Sequence, residues 1–165
     1  MIEGAGAVES TPPVADYTPA IYGSILVTTL LAIEWNQVSS SELIALSLVI
    51  SVAVFWLTHV WSEVVNRRVR GPIDPTIAVV LARREATMLT AVVVPGLVLA
   101  SARLTGSSVD TVVQLALAVS IVQLFLWGLA VGRAAHDSWA ASIVVALVDC
   151  GLGLLIVALK ILVIH

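Results

Sequence analysis

Four apolar runs, at about 42–65, 86–104, 109–131 and 140–164, constrain this chain more than any other feature. Each meets the roughly 20 residues that a helix needs to cross hydrocarbon. In that medium every backbone N–H and C=O must be satisfied inside the segment, which leaves helices as the spanning element for runs of this length. The runs predict an all-α fold, a polytopic transmembrane helix bundle. A fifth run, about 20–35, has a shorter apolar core from Ala20 to Ile33 and is closed by Glu34, Trp35, Asn36 and Gln37. Trp35 beside charge suits the membrane interface. The expectation is about five spans, with four spans plus an interfacial helix as the alternative.

Composition agrees. Hydrophobic residues make up 59% of the 165 and charged residues 12%, about half the charge of a soluble domain. Mean hydropathy is +1.06. A soluble domain this short could not hide that much apolar surface, so the first partner is the lipid bilayer. The formal net charge is −3 with no basic tract, which gives no support to nucleic-acid binding. Cys150 is the only cysteine, so neither an internal disulfide nor a CxxC motif is possible. Residues 1–19 contain Glu3, Glu9 and Asp16 and no base. They read as a flexible acidic tail rather than a signal peptide, with its positive start. Residues 20–165 read as one transmembrane domain.

Arginine placement predicts orientation. Arg67, Arg68, Arg70, Arg83, Arg84 and Arg133 fall on one side, and only Arg103 and Lys160 on the other. The positive-inside rule places the 66–85 loop and the N-terminus in the cytoplasm, in a multi-pass protein of the cell membrane. Within that loop, "DPTIAVVLARRE" (74–85) offers Asp74 as N-cap and Pro75 as first helical residue, predicting a short cytoplasmic surface helix that runs into the third span. Arg67, Arg68, Arg70, Arg83 and Arg84 are expected to meet anionic headgroups. Pro95 should kink the third span, because it cannot donate to the helix ladder. Asp110 suits the positive N-terminus of the fourth span, and Asp137 or Ser138 could cap the last.

Polar residues inside the runs are the candidates for chemistry. His59 and Glu63 share a helix face with Ser62 and Asn66, and i, i+4 spacing lets imidazole and carboxylate touch. Such a pair can relay protons or bind a divalent metal. Its proximity to the loop equally suits ordinary interfacial polarity. Asp149 lies mid-run in the last span, where a carboxylate costs about 2.5–3.5 kcal/mol to insert and must face protein or water. Gln123 is its first expected partner and His59 the second, the three falling in one inner-half layer. A polar staple between helices would look the same. Lys160 is expected to snorkel to the outer surface. "GLG" (151–153) thins one face of the last helix for close packing, and His136 with Asp137 could join a site at the membrane edge. No HExxH, nucleophile elbow or phosphate loop is present. No cofactor is expected, and an enzyme is the weaker reading.

"HVWSEVVNRR" (59–68) and "GLAVGRAAHDSWAASIVVALVDCGLGLLIVALK" (128–160) resemble a family of small multi-span integral membrane proteins of actinobacterial type. The likeness rests on the His-x-x-x-acid pattern, the Gly-Arg turn and the Gly-rich last helix. It implies the fold class and no activity. The functional expectation is a channel- or transporter-like protein with a proton or cation site in the cytoplasmic half, formed by His59, Glu63, Asp149 and Gln123. Metal, if any, would sit on His59 and Glu63. The rival is a non-catalytic accessory subunit of a larger membrane complex. Either role fits a homo-oligomer or partner membrane subunits.

Overall fold

The computed structural model describes residues 17–35, 40–72, 74–135 and 138–164. The acidic tail up to residue 16, Asn36, Gln37, His136 and Asp137 lie outside the described residues, as does the side chain of Lys160. The chain is all-α: α1 (Thr18–Glu34), α2 (Ser41–Arg70), α3 (Pro75–Thr105), α4 (Val109–Ala135) and α5 (Trp139–Ile164). The last four are long and apolar enough to cross a membrane. Their outward faces carry Leu46, Leu57, Leu97, Val122, Leu126, Leu147 and Leu155, all exposed. In water this would be a severe apolar surface; in a bilayer it is solvation.

The helices run up and down. Arg103 at the end of α3 pairs with Glu42 at the start of α2. Ser47 donates to Glu34, and Trp35 Nε1 donates to Asp110 at 3.2 Å, at the same end of the bundle. At the other end Tyr17 packs against Trp127, their rings 5.9 Å apart. α1 is therefore antiparallel to α4 and runs beside it between Trp127 and Asp110. Its 17 residues are about 25 Å long, close to the roughly 30 Å of a hydrocarbon core. α1 is a shorter apolar helix than the four candidate spans, and it stands along them rather than apart from the bundle. α1 packs against all four other helices.

The sequence of α1 explains why it is central. Ala20, Gly23, Ser24, Val27, Thr28, Leu31 and Ala32 are buried. Most are small, so neighbours approach closely. A Cβ on Gly23 would lie 2.6 Å from the Met88 carbonyl oxygen of α3. The buried hydroxyls donate within the helix, Ser24 to Ala20 O at 2.9 Å and Thr28 to Ser24 O at 2.8 Å. They need no outside partner. The hydroxyls that shorten the apolar core on paper are silent in the fold.

α3 begins as expected. Asp74 Oδ1 accepts from the Thr76 N–H at 2.9 Å, with Pro75 in the first turn. That bond holds the exposed Asp74 carboxyl below the ordinary aspartate range. The ionised cap is complete above that range and is lost as pH falls through the lowered value. Pro75–Glu85 is helical, as expected, and runs on into the third span. It packs along α2 and continues through a 3₁₀ stretch, Ala86–Leu89, into Thr90–Ala100. The change of winding lies in that stretch, ahead of Pro95, which sits buried inside Thr90–Ala100. Gly106, at φ 65°, ends α3 in the left-handed conformation that glycine adopts without a Cβ clash.

α4 and α5 form the tightest hairpin. A Cβ on Gly132 would lie 2.5 Å from Ser142 Cα, and one on Gly128 would lie 2.7 Å from Ala146 Cα. Gly153 receives Leu124 of α4, whereas Gly151 has open space around it. Only one glycine of the "GLG" stretch thus serves packing within the chain.

Candidate functional site

His59 and Glu63 do not pair. Glu63 turns down its own helix and accepts from Arg67 Nε at 3.0 Å. His59 meets Glu85 of α3 instead, with Nε2 3.4 Å from Oε2. That is an ion-pair distance without hydrogen-bond geometry, and Glu85 Oε2 has no other partner. The Glu85 side chain is 8% exposed and that of His59 40%. The pair is thus a buried carboxylate beside an imidazole with one open flank. Tyr22 of α1 and Phe55 of α2 close in on the imidazole, each ring centroid 6.4 Å away. Trp56 Nε1 donates to Ala82 O at 3.2 Å and ties α3 to α2 beside the pair.

Glu85 is the residue that sequence reasoning passed over, although a signal was there. In "DPTIAVVLARRE" the helical period places Ile77, Leu81 and Glu85 on one face. Leu81 is 2% exposed and Ile77 is half-buried. An acid in line with the apolar stripe of an amphipathic helix faces the protein, so its partner lies across the helix contact.

Asp149 is placed between helices, as energetics required, but without either expected partner. Its Oδ2 is buried, has no hydrogen-bond partner and lies over Gly128, where a Cβ would come within 2.5 Å of it. Gln123 turns to α3, with Nε2 donating to Thr90 O at 3.3 Å. Its Oε1 and the neighbouring Trp127 Nε1 are buried without partners. A cleft of about 500 Å³ between α3 and α4 is lined by Thr90, Val94, Gln123 and Trp127, and Asp149 does not line it. Cys150 Sγ reaches Ile121 O at 3.5 Å, which makes it a packing thiol.

The expected single layer of His59, Gln123 and Asp149 is thus divided. His59 belongs to the α2–α3 side and Asp149 to the α4–α5 side, and α1 packs against both pairs. Tyr17 at the start of α1 marks the level of Trp127, and Tyr22, further along, marks the level of His59. Among the described residues no three His, Cys, Asp or Glu side chains come together as a metal site would need. The arginines cluster at one end: Arg68, Arg70, Arg83 and Arg84 are exposed, and Arg133 lies 4.5 Å over the Trp139 ring. Comparison with models of known protein families, with curated proteins and with solved structures finds no match for this chain.

Proposed function

We propose that this chain is a small channel- or transporter-like protein of the cell membrane whose His59–Glu85 pair takes up and releases a proton. The observation that carries this reading is the buried Glu85 carboxylate held 3.4 Å from His59 by a second helix. An imidazolium–carboxylate pair has no net charge, so the low-dielectric interior tolerates it. Loss of the shared proton leaves one negative charge, and a second proton leaves one positive charge. The site therefore changes charge by one unit at each proton step. Histidine is the side chain suited to doing so near neutral pH.

Glu63, paired with Arg67, sits nearer the arginine-rich end and is the polar step toward water. Gln123 and Asp149 provide polar groups on the far side of α1. The arginine-rich end and the N-terminus face the cytoplasm, supported by the charge asymmetry across the bundle. Because α1 fills the middle of the five helices, a conduit runs along its flank or between copies of the chain. This favours an oligomer.

The test is proton flux into proteoliposomes carrying an internal pH dye, under an imposed potential. The parent protein should pass protons, His59→Ala and Glu85→Gln should lower the rate about tenfold or more, and Glu63→Gln should retain most of it. Parent flux equal to empty liposomes, or Glu85→Gln as fast as the parent, would remove the reading.

The rival role, an accessory subunit, draws on Gly151. It has open space around it on α5, the least covered of the four long spans. A small residue on an open face admits a neighbouring helix from another subunit. A monomeric mass in mild detergent, with no co-purifying membrane protein, would count against it.

A further inference from the structure

We infer that the junction of α2 and α3 is a binding site for one anionic phospholipid, its acyl chain in a groove and its headgroup on Arg83. The groove has a volume of about 440 Å³ and is lined by Trp56, Ala78, Val79, Ala82, Arg83 and Ala86. Ala78, Ala82 and Ala86 recur every fourth residue, so one face of α3 is shallow along two turns. Trp56 walls the opposite side and is fixed there by its bond to Ala82 O. A groove walled by alanine and valine methyl groups and an indole suits a hydrocarbon chain, and its one charged lining residue is Arg83.

Charge chooses the headgroup. Arg67 is taken by Glu63, Arg103 by Glu42 at the opposite end, and Arg84 has a contact of its own. Arg83 lines the groove and makes no ion pair among the described residues. Helical side chains lean toward the N-terminus of their helix. The Arg83 guanidinium is thereby directed toward the Ala78 end of the groove, which is the arginine-rich end of the bundle. Arg68 and Arg70, exposed at the tip of α2, add positive potential at that end. A lipid whose chain follows the groove toward Ala86 presents its phosphate there. Guanidinium binds phosphate through two parallel charge-assisted bonds. The general anchoring expected of five arginines is thus narrowed to one site, and the proton reading is not needed for it.

The experiment is native mass spectrometry of the full chain, released from detergent with equal phosphatidylglycerol and phosphatidylcholine. The parent should retain one phosphatidylglycerol in about tenfold preference, the ratio that about 1.4 kcal/mol supplies. Arg83→Gln should abolish the preference. Ala82→Leu, which fills the groove, should lose both lipids. Arg103→Gln, at the far end, should behave as the parent. Inorganic phosphate should not displace the bound lipid. Arg83 is exposed, so Arg83→Gln leaves packing intact and carries the test if Ala82→Leu does not fold. Equal retention of both lipids by the parent, undiminished preference in Arg83→Gln, or displacement by phosphate would overturn the assignment.

Discussion

Gly132→Val should open the α4–α5 hairpin, at a cost of roughly 3 kcal/mol, the upper end of the range for overpacking. The new Cβ would meet Ser142 at Cα and at the carbonyl oxygen, 2.5 and 2.9 Å away. Those are backbone atoms, and no rotamer change relieves the clash; the two helices must separate. Separation would also strip the cover from Asp149, which lies over Gly128 one turn away. The matched control is Gly151→Ala on the open side of α5, where no atom lies within 4 Å of the added methyl. Its effect should stay within about 0.5 kcal/mol. Unfolding of both variants in mild detergent, followed by helix signal against denaturant, separates them. Equal midpoints would mean that α4 and α5 do not meet along this face.

The second large effect is expected at Leu31, fully buried in α1. In aqueous proteins Leu→Ala costs about 2–5 kcal/mol, part of it transfer from water and part the cavity. An unfolded membrane helix stays in lipid, so much of the transfer part disappears and lost packing contacts remain. About 2 kcal/mol is the expected destabilisation of Leu31→Ala. Ile33, 41% exposed on the same helix, should tolerate alanine almost without change. A helix lying in the interface would show no such contrast, and similar midpoints for the two variants would return α1 to the surface.

The long spans were plain in the sequence because lipid imposes both a length and a composition on them. Asp74 and Pro75 were equally plain, since a cap and a fixed φ act within one turn. α1 was harder to recognise. Hydropathy counts Ser24 and Thr28 as polar, whereas in the helix each hydroxyl is consumed by the carbonyl four residues earlier. The altered winding at Ala86–Leu89 lies where Met88 meets Gly23 of α1, a contact that no local rule contains.

The candidate site divides the same way. That His59 and Asp149 must avoid lipid followed from their polarity. Which group each would meet did not, because i, i+4 spacing offered Glu63 to His59 while Arg67 offered Glu63 a stronger partner on the same face. Glu85 entered only through the packing of α3 on α2. Its place on the Ile77–Leu81 stripe was visible, but the facing residue depends on how the two helices meet.

The central claim, that His59 and Glu85 bind and release a proton as one unit, is most directly tested by infrared difference spectroscopy of the protein in liposomes. The spectra compare acid and mildly alkaline buffer across a window of about pH 5 to 8, the range in which side-chain protonation bears on physiological switching. The apparent values of a coupled pair belong to the pair, so removing either member should shift the response of the one that remains. The account predicts a carboxyl or imidazole difference band in the parent that is lost or displaced along the pH axis in both Glu85→Gln and His59→Ala and unchanged in Glu63→Gln. The same difference spectrum in the parent and in Glu85→Gln would contradict it.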